Sequence, residues 1–417
     1  MRIVRLTQAV EKRLLRARQE HDAEADRIAA EIIHDVRRRG DTALFTWVKK
    51  LDGVDLHREG LWIDKDEIRA ARKQVSREFL LAVEHAACNV RRVAEKQLPN
   101  PWVMEVEPGV SIGQVVGPID AIGCYIPGGR FALVSTLVMT VVPAQVADVR
   151  HIQVVCPRPN APLLAAASVL GATRVARMGG AQAIAALAYG TKNVARVEKI
   201  FGPGNKYVTA AKQLVSSDCA IDLPAGPTEA IVLATTGNPR WIAADLLAQA
   251  EHAPDARSYL VTTSKRLARQ VQTEVARQLH ALPPSSPAQI SMKRTGAILV
   301  APSLHEACEF VNRFAPEHLS LPSNGEALIK KIHATGTVFL GPWAAQPLGD
   351  YASGSNHVLP TGGWARMRGG LSAADFVKCI SVQSIGRDGF ARLAASAQTL
   401  ARAEGLPAHA NAVEVRR

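Results

Sequence analysis

The stretch Ala248-Gln249-Ala250-Glu251-His252-Ala253-Pro254 closes an apolar run that begins at Trp241. A helix that runs out against Pro254 puts Gln249 and His252, three positions apart, on one face and turns Glu251 away from both. Amide oxygen and imidazole nitrogen are both donors for a divalent metal, and three or four such groups must converge to hold one. Three further places offer comparable groups: Glu317 with His318 in Ala315-Pro316-Glu317-His318-Leu319, Asp350 with His357 in GDYASGSNHVLP, and Glu404 with His409 near the carboxyl end. Each of these histidines lies at an element end beside Pro or Gly, where reacting groups are mounted on a rigid scaffold. The remaining histidines sit inside ordinary helical or strand patterns and read as surface or core residues. Spacing alone goes no further.

Those groups need elements to carry them. From about Asp22 to Lys96 apolar residues recur at spacings of three and four, broken by Gly40 and Gly53, which reads as a helical flank. After Pro101 come short β-type runs such as VMEVEPGVSIGQVV, then alternation: a strand at 121–126, the turn PGGR and a helix to about Ala147, followed by strands HIQVVCP and TRVARMGG with helices APLLAAASVLGA and AQAIAALAYG. A second series starts at Glu229, where TEAIVLATT, RSYLVTT, TGAILVA and GTVFLG are strands separated by helices. Such alternation with short Gly/Pro connections implies parallel sheet with helices on its faces. The expected fold is therefore α/β, with two Rossmann-like, doubly wound parallel-sheet domains and helical extensions at both ends. Its expected boundaries are a helical N-terminal extension at 1–20, a first Rossmann-like domain from 21–124 and 231–370 carrying most of the candidate site residues, a second at 125–230 for the dinucleotide, and a C-terminal part at 371–417 with a helix over about 388–403 and a tail.

The G-x-G-x-x-G fingerprint is absent, because Gly202-Pro203-Gly204-Asn205-Lys206-Tyr207 lacks its last glycine. Glycine-rich turns nevertheless follow three strands of one half, PGGR at 127–130, MGGAQA at 178–183 and FGPGN at 201–205. One such turn reads as a connector. Three at the carboxyl ends of parallel strands strengthen the case for an anionic ligand, since open α/β sheets bind ligands in that crevice and helix N-termini favour negative charge.

The chain has 417 residues, 47% apolar, enough for more than one packed core. Fifty Lys and Arg against 38 Asp and Glu give a net charge of +12, but the basic residues are scattered and only 5% of residues are aromatic, so no nucleic-acid partner is expected. Six cysteines lie far apart without a CxxC pair, which favours reduced thiols in a cytoplasm. The longest apolar run, about 132–147, is interrupted by Thr136, Thr140, Pro143 and Gln145, and the N-terminus lacks a secretory core; neither membrane insertion nor export is expected.

Read together, YIPGGR, GGAQAIAALAYG, KIFGPGNKYV, DLPAGPTEA, DLLAQAEHAPD, APEHL, GDYASGSNHVLPTGG, LSAADFVK and EGLPAHANAV resemble the L-histidinol dehydrogenase family in order and spacing, over nearly the whole chain. The resemblance implies a zinc- and NAD-dependent oxidation of L-histidinol through L-histidinaldehyde to L-histidine, with two NAD and water, closing histidine biosynthesis. It implies one zinc per subunit, held by Gln249, His252, Asp350 and His409, with Glu317 and His318 as the acid–base pair. Tyr125, Gln182 and Asn205 fall on NAD-contacting positions, and Thr228, His318, His357, Glu404 and the zinc ligands fall around the substrate. It also implies a homodimer in which the tail bearing Glu404 and His409 reaches the other subunit's site. Zinc with two imidazoles and two oxygen donors can grip both the amine and the imidazole of histidinol. His318, with an ordinary pKa near ~6.5, suits removal of the alcohol proton, and Glu317 suits activation of water for the aldehyde step.

Two departures from the family pattern stand out. Thr228 replaces a common serine, keeping the hydroxyl, and Ala253 replaces a frequent glycine after His252. The rival readings are a related zinc and NAD dehydrogenase for a sulfonated or other small polyol, and a basic RNA-binding or scaffolding protein on an inactive fold.

Overall fold

The computed structural model describes residues 1–18, 22–128, 132–224 and 226–417. Two parallel sheets organise it. In the first, six strands run in the order Arg2–Arg5, Ala297–Val300, Arg257–Thr262, Glu229–Leu233, His318–Leu321, Thr337–Leu340. In the second, five strands run in the order Val175–Arg177, His151–Cys156, Ala121–Tyr125, Lys199–Phe201, Ala220–Ile221. Setting aside the N-terminal edge strand, both sheets have the same doubly wound order, with their earliest strand in the middle. The central strands Ala121–Tyr125 and Glu229–Leu233 are buried at every position, as a sheet covered on both faces requires. A third, antiparallel sheet pairs Val377–Ile385 with Val110–Pro118 and the latter with Trp102–Glu107.

Four expectations about organisation need correction. The N-terminal extension is not only helical: Arg2–Arg5 pairs in parallel with Ala297–Val300 before the helix Gln8–Arg16 begins, and a four-residue strand is too short to show in a helical periodicity. Residues 21–124 do not build the domain of the six-stranded sheet. The apolar faces of Ala23–Arg39 and Arg77–Gln97 pack in the cores around the five-stranded sheet, whose central strand is Ala121–Tyr125, so the expected break at 124/125 falls inside a strand. In the C-terminal part the nine-residue strand Val377–Ile385 precedes the helix Arg387–Ala403. The tail, finally, is ordered as the helix Pro407–Glu414, seated on Arg387–Ala403 through buried Ala410 and a hydrogen bond from Gln398 Nε2 to the Ala410 carbonyl at 3.4 Å.

The apolar run after residue 131 forms the helix Val134–Val146, buried from Thr136 to Ala144. Pro143 has no N–H for the carbonyl of Met139, and Asn356 Nδ2 donates to that carbonyl instead at 2.7 Å. A proline in one domain thereby anchors the loop that carries His357. Among the described residues no helix is long and apolar enough to cross a membrane. All six cysteines are free thiols, and His21 and part of the PGGR turn lie outside the described residues.

Candidate active site

Glu317 and His318 stand where His318–Leu321 begins, and Thr228 and Glu229 where Glu229–Leu233 begins; the two strands pair with His318 opposite Ala230. All four therefore meet at the amino ends of the six-stranded sheet, the end opposite to the usual ligand crevice of such sheets. Ala315, in left-handed conformation at φ 48°, ends the helix Leu304–Phe314 and turns the chain into this corner. Glu317 and His318 are 7% and 3% exposed.

One residue's backbone holds both. The Glu229 N–H donates to Glu317 Oε2 at 2.9 Å, where the Thr228 hydroxyl also donates. The Glu229 carbonyl faces His318 Nδ1 at 3.4 Å, so that nitrogen carries a proton. Nε2 is buried with no hydrogen-bond partner among the described residues, 3.4 Å from Asp350 Oδ1. Glu229 is itself fixed from behind: its fully buried carboxylate meets Arg18 bidentately and Arg257 at 3.2 Å, and the Arg18 guanidinium lies over the Phe314 ring at 3.8 Å.

The charges in this corner are coupled. Burial pushes the Glu317 carboxyl up, against the charge of His318 and the donors Thr228 and Glu229 N–H. Burial alone would lower the His318 pKa, but Glu317 and Asp350 outweigh it and the imidazole becomes a stronger base. Asp350 feels burial upward, yet His318, His357 and His252 hold its carboxyl below the ordinary range.

The helix Pro239–Ala250 follows the strand Glu229–Leu233 and runs back toward its amino end, which brings Gln249 to Thr228. Gln249 Nε2 donates to the Thr228 hydroxyl, and its Oε1 accepts from Gln346 Nε2. A directed chain results, Gln346 to Gln249 to Thr228 to Glu317, and it fixes the orientation of each group. Just beyond the helix, exposed His252 turns Nδ1 to the Ala248 carbonyl at 3.2 Å, which leaves the lone pair of Nε2 free for a ligand. Thr228→Ser keeps both hydroxyl bonds and should change kcat/KM by no more than about threefold, the scale of one lost methyl. Thr228→Val, which strands Gln249 and Glu317, should cost more than about tenfold in the same steady-state assay.

His357 is occupied on both sides, Nδ1 toward the Asp350 carbonyl at 2.8 Å and Nε2 toward the Thr136 hydroxyl at 3.1 Å, and burial lowers its pKa. It would have to release one partner to touch a substrate. Tyr125 and Gln182 lie at the carboxyl ends of the five-stranded sheet, where Gly180 N–H donates to the Tyr125 hydroxyl at 3.2 Å. Gly202, at φ 110°, is needed at the neighbouring turn, since a Cβ there would lie 2.1 Å from the Tyr125 carbonyl oxygen. Asn205 caps the helix Lys206–Val215, its Oδ1 accepting from Tyr207 and Val208 N–H at 3.1 Å each.

Glu404 and His409 are exposed on the C-terminal helices and are not brought to this corner within one chain. Among the described residues no group of three or more His, Cys, Asp and Glu is placed to hold a metal. Three residues that hold this corner together escaped the sequence reading: Gln346, Glu229 and Arg18. Only Gln346 carried a local signal, four positions before Asp350 in QPLGD.

Two parallel sheets, one presenting a buried carboxylate–histidine pair and the other glycine turns at its strand ends, define a doubly wound α/β protein with the groups for acid–base chemistry. The family model described as histidinol dehydrogenase matches residues 15–417. A histidinol dehydrogenase of Aquifex aeolicus is 45% identical over 398 residues, covering 95% of this chain and 93% of the relative. That of Geobacillus kaustophilus is 45% identical over 401 residues, covering 94% of each. The crystal structure of histidinol dehydrogenase from Elizabethkingia anophelis superposes with a TM-score of 0.94 at 37% identity, over 100% of this chain and 98% of that one. The chain belongs to the histidinol dehydrogenase family.

Proposed function

We propose that this chain oxidises L-histidinol through L-histidinaldehyde to L-histidine with two NAD, the last steps of histidine biosynthesis. The observation that carries the reading is the Glu317–His318 pair, buried and held by the backbone of Glu229 beside Asp350. The imidazole's Nδ1 is committed to a carbonyl, so Nε2 receives the alcohol proton in the first oxidation. Glu317 takes both of its donors on Oε2, which leaves Oε1 to draw a proton from the water that hydrates the aldehyde. Gln249 and Thr228 keep that carboxylate in place.

The donor set of one chain fits zinc as an incomplete shell. His252 offers an oriented nitrogen, Asp350 a carboxylate and Gln249 an amide oxygen, though Oε1 of Gln249 must leave Gln346 to serve. Zinc, when bound, would grip the amine and imidazole of the substrate and so fix the reacting carbon. NAD, when bound, takes the hydride, and Tyr125, Gln182 and Asn205 at the glycine turns are the residues we assign to it.

The fourth zinc ligand would be His409 of a second copy, with Glu404 reaching the substrate from the same helix pair. Support comes from the antiparallel sheet and its helices, which leave Val103 76%, Met104 54%, Ile380 53% and Leu400 64% exposed. A homodimer would cover that surface and carry His409 across. NADH formation with L-histidinol, compared with sulfopropanediol, tests the reading: turnover of the first alone is expected, and turnover of the second alone would overturn it.

A further inference from the structure

Asp52 comes from a flank with no function in the sequence reading, yet it is buried at the end of the π-helical turn Val48–Asp52, a distortion common at functional sites. Its Oδ2 accepts the Gly179 N–H and the Gln182 Nε2, both at 3.1 Å. Gly179 ends the turn after Val175–Arg177 and Gln182 lies in the first turn of the helix Gly180–Tyr189, where the Gly180 N–H meets Tyr125. An ionised carboxylate only accepts, so it decides which way the Gln182 amide faces, nitrogen toward Asp52 and oxygen away. That oxygen is buried and has no hydrogen-bond partner among the described residues. Glycine at 180 leaves it room, because a Cβ there would lie 2.5 Å from it. A buried acceptor with nothing to accept points to a donor supplied by a ligand. Asp52 also borders a cavity of about 390 Å3 lined by Glu59, Pro157, Arg158 and Arg177.

We infer that Asp52 is a positioning residue for the dinucleotide, orienting the Gln182 amide so that Oε1 receives a hydroxyl or amine donor of the ligand, a ribose hydroxyl by chemical class. The inference rests on the reading of Gln182 as dinucleotide-facing. Calorimetric titration of NAD into zinc-loaded protein without histidinol tests it on Asp52→Leu, which keeps the shape and removes the acceptor, on Gln182→Met and on the double variant, with melting curves alongside. Asp52→Leu should weaken NAD about tenfold, the scale of one misdirected hydrogen bond. Gln182→Met should weaken it at least as much, and the double variant no further, since Asp52 acts through Gln182.

Loss in Gln182→Met with none in Asp52→Leu would overturn the role of Asp52 and leave Gln182 as a contact. No loss in either would overturn both. A lowered melting temperature with unchanged NAD affinity in Asp52→Leu would mark Asp52 as structural only. If Asp52→Leu fails to fold, Gln182→Glu removes the donor while keeping the length, and undiminished NAD binding there would equally overturn the inference.

Discussion

His318→Asn should lower kcat by about 100- to 10,000-fold, the usual contribution of a positioned general base. Asparagine can still donate to the Glu229 carbonyl in place of Nδ1, but it has no base to offer where Nε2 stands beside Asp350. The fold should survive, because the ion cluster of Arg18, Glu229 and Arg257 lies behind the strand and is untouched. Steady-state kinetics with circular dichroism check this, and a loss below about tenfold in a folded variant would remove His318 from its role. Glu317→Gln provides the contrast. The amide oxygen can keep the Thr228 and Glu229 donors, yet it cannot take a proton, so oxidation of histidinaldehyde should fall more than oxidation of histidinol. Equal losses in both half-reactions would contradict the division of labour.

His409→Ala should abolish zinc retention and activity without unfolding the protein. His409 is exposed, and the helix that bears it contributes only Ala410 to a buried contact, so removing the imidazole costs the fold almost nothing. Zinc content by mass spectrometry reads the first claim, and an unchanged content would refute the assignment. The second claim is that the residue works across the dimer. Mixing His409→Ala with His318→Asn chains should then restore about a quarter of normal activity, since half of the randomly formed dimers would hold one complete site of two. Failure of any recovery in a mixture that forms heterodimers would contradict a shared site.

The parts of this architecture visible in the sequence were those with strong periodicity. Ala121–Tyr125 and residues 230–234 at the strand Glu229–Leu233 are apolar runs with proline or glycine a few residues away, and burial on both faces leaves that mark. The edge strand Arg2–Arg5 and the outer strand Val377–Ile385 leave no such mark, because charged or polar residues fill positions open to solvent. Association between elements was harder to read. Nothing local says that Ala23–Arg39 packs on the five-stranded sheet, as that depends on which apolar faces remain uncovered once both sheets have formed.

The candidate site divides in the same way. Glu317-His318 and Gln249-x-x-His252 are short motifs at element ends and were legible, and their meeting through Thr228 follows from the pairing of two strands far apart in the chain. Arg18 and Asp52 were not legible, since each reaches its partner across more than a hundred residues and carries no signature beside it.

The proposed chemistry requires a metal shared between two chains next to the Glu317–His318 pair. Diffraction from crystals grown with zinc, recorded at the zinc absorption edge, reads it directly. One anomalous peak per subunit should lie at bonding distance, about 2.0–2.2 Å, from Gln249 Oε1, His252 Nε2, an Asp350 oxygen and a ring nitrogen of His409 from a second copy. A peak elsewhere, or His409 remote from every such corner in the assembly, would contradict it.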